Sequence, residues 1–391
     1  MTHDPGTLAD RMRVIQPFHV MAILSRARQL EAQGRSIVHM EVGEPDFDTP
    51  EPVVRAGIKA LQEGKTHYTP AVGLQALREA ISADYRTRFS IEVPAERILI
   101  TPGASGALQL ALSALVNPGD EVIMADPGYP CNRNFVYLVD GVPRSVPVTG
   151  ESRYQLTETH LRNAWTDRTR AVLLASPSNP TGTMIEQQDL AGMLQFVHSR
   201  QASLIVDEIY NGLVYDRSPF TALSHSQDIF VINSFSKYFG MTGWRLGWVV
   251  APESYVQSLD NLAQNIFLAA STPAQYAALA AFHPETLEIL EQRKQAFQQR
   301  RDYLLPALRD LGFQIDGVPQ GAFYLYANCS AFTDDAYDFS NRLLEQAGVA
   351  ITPGLDFGEY RSKEHVRFAY TTSIRQLEEG VRRIREFLRQ A

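Results

Sequence analysis

Short, almost wholly apolar runs alternate with helical patterns through the middle of this chain, and that alternation narrows the fold more than any other feature. The runs are Ile98–Thr101, Glu121–Ala125, Ala171–Ala175, Ser203–Val206, Phe230–Asn233 and Leu246–Val250. A strand with one wet face alternates polar and apolar residues, whereas a run that is apolar at nearly every position has to be covered on both faces. Turn residues such as Asn117-Pro-Gly-Asp120 separate the segments. Strands and helices in alternation build a mostly parallel sheet with helices packed on either side. The stretch Ala107–Val116 joins that pattern as a buried helix. It is too short to cross a bilayer, which takes about 20 residues.

After about Pro284 the pattern changes. A long charged helix, from Glu285 to roughly Leu311, leads into Gly321–Ala327 and Glu364–Tyr370, an α+β arrangement. A chain of 391 residues exceeds one ordinary core. The expected division is an N-terminal arm with part of the small domain (1–45), a large domain (46–284) and a small C-terminal domain (285–391).

A formal net charge of -8 gives no basic field for nucleic acid or an anionic membrane surface. Cys131 and Cys329 are too few for a disulfide framework, which fits a reducing compartment. The start, Met1 to Asp10, lacks the basic-then-apolar pattern of a signal peptide, so a cytoplasmic location is expected. The histidines show no ligand spacing, and no metal site is expected.

Chemically suggestive residues stand just after the strands: Gly103-Ala104-Ser105, Tyr129, Asn179, Asp207 and Lys237. Ligands of open α/β sheets bind outside the carboxyl ends of the strands. Most lysines are surface residues, but Lys237 ends a buried-looking strand between Ser234, Ser236 and a glycine-rich loop that runs to Arg245. An amine so placed can form an imine with a carbonyl cofactor whose phosphate the neighbours hold. Gly103 to Ser105 open a helix, and free first-turn amides with the helix dipole make an anion site. No Gly-x-Gly-x-x-Gly pattern occurs there, so nicotinamide binding is not supported.

The ordered set Gly43-Glu-Pro-Asp-Phe47, Tyr68-Thr-Pro-Ala-Val-Gly73, Pro102-Gly-Ala-Ser105, Pro127-Gly-Tyr-Pro130, Ser178-Asn-Pro-Thr-Gly182, Asp207-Glu-Ile-Tyr210, Ser234-Phe-Ser-Lys237 through Arg245, and Val366-Arg367 resembles the class I/II aminotransferases, from about residue 11 to the C-terminus. The resemblance implies pyridoxal 5′-phosphate and fold type I: a mostly parallel seven-stranded sheet sandwiched by helices, with a smaller α+β domain. It implies ping-pong transfer of an amino group between an α-amino acid and a 2-oxo acid through a Lys237 imine. Lys237, Asp207 and Tyr210 are then the catalytic residues. Asp207 keeps the pyridine nitrogen protonated, Tyr210 and Asn179 bond the phenolic oxygen, and Tyr129 stacks on the ring. Gly103, Ala104, Ser105, Ser234, Ser236 and Arg245 hold the phosphate. Tyr68 reaches the phosphate of the opposite subunit, which implies a homodimer with shared active sites. Gly43, Asn179 and Arg367 bind the substrate, Arg367 as a bidentate carboxylate clamp.

An aspartate-using branch of that family carries lysine where this chain has Ser105, so aspartate loses its simplest support. Phe18, His19 and Tyr324 resemble pocket-lining positions, and Cys131 is expected near the pocket's edge. Two other readings share these residues: a carbon–sulfur β-lyase on the same scaffold, and a ligand-sensing regulator without catalysis.

Overall fold

The computed structural model of the protein describes residues 8–390; the first seven residues of the expected N-terminal arm lie outside it, as does most of the segment read for a signal. Seven strands form the main sheet: β1 (Ile98–Thr101), β2 (Glu121–Asp126), β3 (Val142–Pro147), β4 (Thr169–Ala175), β5 (Ser203–Asp207), β6 (Phe230–Ser234) and β7 (Gly247–Val250). Their order across the sheet is β1-β7-β6-β5-β4-β2-β3. Every neighbouring pair is parallel except those involving β7, which runs against both β1 and β6.

Burial on both faces explains the apolar runs. Val172, Leu174, Leu204, Val206 and Val231 point into one core, while Leu173, Ile205, Phe230, Ile232 and Val249 point into the other. The helix Gly103–Leu115 covers the second face through Leu108, Ala111 and Leu112. Its start lies close against β7. A Cβ on Gly247 would sit 2.6 Å from Gly103 C and 2.7 Å from Ala104 N, so glycine at 247 permits the approach.

β3 departs from the sequence expectation, which passed over it. It is an edge strand whose residues are mostly solvent-facing, and it carries Pro143 and Pro147. Pairing on one side and little burial leave it without an apolar signature.

The second sheet lies late in the chain. Thr352–Pro353, His365–Ala369 and Tyr324–Asn328 form three antiparallel strands in that order, with Arg367 opposite Thr352 on one side and Tyr326 on the other. The helix Pro284–Asp310 precedes it. Val38–His39 pairs in parallel with Val349–Ala350, so early residues pack with late ones. No helix among the described residues is long and apolar enough to cross a membrane.

Candidate active site

The carboxyl ends of β2, β4, β5 and β6, the start of helix Gly103–Leu115 and segments from both ends of the chain enclose one cavity of about 320 Å³. The order of β2, β4 and β3 reverses the direction in which the sheet grows, and such a switch point leaves a crevice between diverging connections. Small-ligand sites usually measure about 300–1,000 Å³.

Lys237 follows β6 and lines the cavity. Its Nζ donates to the Gly43 carbonyl at 2.8 Å. Burial pulls its pKa down from 10.5 to about 8; Glu44 opposes the shift, Arg367 and Arg245 add to it, and Asp207 opposes it. A large share of the amine is therefore neutral near pH 8, the form that attacks a carbonyl or accepts a proton.

Asp207 ends β5, 6% exposed, and its Oδ1 accepts from the Ile209 amide at 3.0 Å. Burial raises its pKa to about 6, against the pull of that amide and of Lys237. A carboxylate held this way favours a cationic neighbour in the cavity. Glu208 beside it faces elsewhere: it accepts from the Ala222 amide at 2.6 Å, Thr221 at 3.1 Å and Asn211 at 3.0 Å.

Asn179, in the loop after β4, and Arg367, on the middle strand of the second sheet, meet across the cavity wall. Arg367 Nη1 donates to Asn179 Oδ1 at 2.9 Å. A guanidinium only donates, so the contact fixes the amide with Nδ2 as its outward donor. Arg367 Nη2 bonds Thr352 Oγ1 at 3.2 Å and the Glu41 carbonyl. The guanidinium lies 4.3 Å from the Tyr324 ring centroid and 4.9 Å from that of Phe357. Its Nε is buried with no partner among the described residues.

The phenol oxygens of Tyr210 and Tyr324 are 2.8 Å apart. Burial keeps both protonated far into the alkaline range. When Tyr324 donates, the proton of Tyr210 is free for another acceptor. Gly43 fits beneath this pair, where a Cβ would lie 2.0 Å from Tyr324 Oη. Glycine there is thus demanded by a tyrosine ring, a reason the sequence did not disclose.

At the other end of the cavity Arg245 takes a left-handed φ of 53° and turns its head toward Gly103. A Cβ on Gly103 would lie 2.7 Å from Arg245 Nη2. Arg245 Nη1 donates to Thr242 O at 3.0 Å and to Ser236 Oγ at 3.4 Å. Ser234 Oγ stands 3.0 Å from Ser236 Oγ, and Ala104 and Ser105 complete this wall. Tyr129, the residue before helix Pro130–Leu138, lines the cavity with part of its ring open.

Several anticipated residues lie apart. Tyr68 is 83% exposed and does not line this chain's own cavity. Cys131 and the side chain of His19 do not line it either, while Phe18 and Tyr324 do. Thr242, Thr352, Asp356 and Phe357 line it without having been anticipated. Thr242 sits in the Lys237–Arg245 loop, a proximity that could have marked it; the other three carry no local signal.

The donor set suits pyridoxal phosphate. First-turn amides, hydroxyls and Arg245 converge at one end, as a phosphate dianion requires. An amine with a lowered pKa suits an aldehyde, and a buried carboxylate suits a ring nitrogen.

The family model for aminotransferase class I and II matches residues 35–384. The chain is 38% identical to the (5-formylfuran-3-yl)methyl phosphate transaminase of Methanocaldococcus jannaschii, over 97% of this chain and 99% of that one. It is 38% identical to the valine–pyruvate aminotransferase of Mycobacterium tuberculosis, over 96% and 97%. The crystal structure of an aminotransferase from Mycobacterium tuberculosis superposes with a TM-score of 0.95 at 37% identity, covering 98% of this chain and 99% of that one. Sequence, fold and a lysine–aspartate–arginine cavity agree: the chain belongs to the class I and II aminotransferases, which carry pyridoxal phosphate.

Proposed function

We propose that this aminotransferase exchanges the amino group of an α-amino acid for the oxygen of a 2-oxo acid in the cavity around Lys237, in two alternating half-reactions. The observation that carries this assignment is the convergence of Lys237, Asp207 and Arg367 on one cavity, with Lys237 held near its neutral form. Pyridoxal phosphate, when bound, supplies an aldehyde for the amino group and a ring that accepts the electron pair freed at the substrate's α-carbon.

The residues divide that work. Gly103, Ala104 and Ser105 with Ser234, Ser236 and Arg245 would hold the phosphate. Asp207 would face the ring nitrogen and keep its proton in place. Tyr210 and Asn179 Nδ2 would donate to the phenolic oxygen, and Tyr129 would cover the ring. Arg367, seated between Tyr324 and Phe357, would take the α-carboxylate at its guanidinium. Lys237 would hold the aldehyde and, once released by the incoming amine, carry the proton from the α-carbon. The same reading makes residues 46–284 the cofactor domain and 285–391, with part of 1–45, the smaller one.

The exposed Tyr68 supports a homodimer in which it serves the partner's site. Ile58 and Leu61, on the helix Glu51–Gln62 that precedes Tyr68 in the chain, are exposed too, apolar surface that a second copy would cover. A cytoplasmic enzyme fits the acidic composition and the two free cysteines.

A single-turnover screen of amino donors tests this function. Conversion of the bound cofactor to its amine form, with one equivalent of 2-oxo acid released, is expected. Release of pyruvate and a thiol from a sulfur amino acid, with the cofactor unchanged, would instead make the protein a lyase.

A further inference from the structure

The helix His19–Ala32 begins without a cap of its own. Phe18 occupies the cap position and offers no side-chain acceptor. First-turn N–H groups have no partner inside a helix, and a local Ser, Thr, Asp or Asn usually serves them. Here the acceptor comes from far along the chain. His19 N donates to Asp356 Oδ1 at 2.7 Å, and Val20 N donates to Asp356 Oδ2 at 2.8 Å. Asp356 is 4% exposed.

The segment that carries Asp356 is itself fixed from the other side. Its carbonyl accepts from Arg133 Nη2 at 2.9 Å, and the Phe357 carbonyl accepts from Gly128 N at 2.8 Å. The amides of Glu359 and Tyr360 end on Asp126 Oδ2 at 3.0 and 3.2 Å. The Phe357 ring meanwhile packs on Arg367. One short segment therefore grips the early helix on one side and the arginine of the substrate end on the other. Phe18, Val20 and Met21 line the cavity beside it, and Met21 is 56% exposed, which places this wall at the mouth.

We propose that Asp356 is a positioning residue for donor selectivity: by capping helix His19–Ala32 from outside, it holds Phe18, Val20 and Met21 as the apolar wall against which the donor's side chain packs. The proposal rests on the placement of the substrate carboxylate at Arg367. A carboxylate at a helix start is favoured by the dipole and forms charge-assisted bonds, so it can hold a first turn that the local sequence leaves bare. Removing it strips two amides of their acceptor and loosens the wall. Asp356 makes no bond to Lys237, Asp207 or Arg367; its carboxylate is spent on the helix start.

The test is a half-reaction series with alanine, 2-aminobutyrate, norvaline and norleucine on the holoenzyme. In the native protein kcat/KM should rise about fourfold per added methylene, the usual gain for burying one. Asp356→Ala should flatten that rise chiefly through KM, with a larger change in KM for norleucine than in kcat for alanine. His19→Pro removes one of the two donated N–H groups without touching the carboxylate. Proline suits the first helical position, and Phe18, at φ -71° and ψ 133°, already has the conformation required before it. His19→Pro should therefore flatten the rise in part, and His19→Ala, which keeps the N–H, should not. Amide hydrogen exchange at Val20 should quicken in Asp356→Ala. Equal loss for all four donors with a fall in kcat, a flat series in the native protein, or unchanged slopes in both Asp356→Ala and His19→Pro would each overturn the proposal. No half-reaction in the native protein with any α-amino acid would count against the assigned function instead.

Discussion

Asn179 Oδ1 accepts from Arg367 Nη1 at 2.9 Å, which ties the loop after β4 to the middle strand of the second sheet. The contact sets two directions at once: that of the amide's remaining donor, and that of the rest of the guanidinium. Asn179→Asp would replace the donor by a second acceptor and neutralise the charge of Arg367. The Arg367 contact survives, but the Nδ2 donor and the uncompensated cation are lost, and losing a hydrogen bond to a charged group costs about 1.5–3 kcal/mol. The donor kcat/KM should therefore fall roughly 10- to 150-fold, chiefly through KM, as steady-state kinetics would show. An unchanged KM would mean that Arg367 does not hold the substrate.

The lowered pKa of Lys237 bears on cofactor uptake. An ordinary lysine titrates near 10.5, and this one is brought down to about 8. Below pH 8 the ammonium form dominates and cannot attack an aldehyde; above it the amine is free. The rate at which cofactor-free protein takes up pyridoxal phosphate should rise through pH 8 and level off above about pH 9. Stopped-flow absorbance reads this directly. A rate that is flat from pH 7 to 9, or that rises only near pH 10.5, is the contrary result. Lys237→Ala should remove both turnover and the lysine-bound absorbance while the protein stays folded.

Asp207 is asked for its charge. Asp207→Asn keeps the shape and the Ile209 contact but cannot hold a cationic ring nitrogen. Removing one preorganised electrostatic group lowers kcat on the order of 10²–10³-fold. Cofactor content, measured after dialysis, should change far less. Near-complete loss of cofactor with normal turnover of what remains would reverse the roles.

Gly43 offers a stability test. A methyl group there would lie 2.0 Å from Tyr324 Oη, so the buried Tyr324 ring has to shift to make room. Overpacking of this kind costs about 1–3 kcal/mol. Urea unfolding of Gly43→Ala should show that loss, together with reduced turnover as Tyr324 leaves Tyr210. Gly43→Ala combined with Tyr324→Phe should recover part of the stability, because the nearest atom is the hydroxyl.

Much of the frame was legible because burial on both faces writes itself into composition. β1, β2 and β4 to β7 each left an apolar run. β3 left none, and the antiparallel sense of β7 left none either, since a strand buried on both faces reads alike in both directions. The residues of the cavity after β2, β4, β5 and β6 were legible because strand ends of a parallel sheet share one edge. Tyr210 with Tyr324, and His19 with Asp356, were not: such pairs are made by the packing of distant segments, and no local spacing encodes them. Arg367 was visible only through family likeness, and its seat between two rings came from the fold.

β3 has one more consequence. Val142 N and Val148 N both point inward, to the carbonyls of Asp120 and Asp126. By the twofold alternation of a strand, the N–H groups facing outward belong to positions 143, 145 and 147. Two of these are Pro143 and Pro147, which have no N–H. The exposed border of the sheet thus presents a single outward donor, Ser145, to any stray strand. An open parallel sheet invites intermolecular pairing at its rim; here two imino acids deny a foreign chain its ladder and help keep the enzyme out of aggregates.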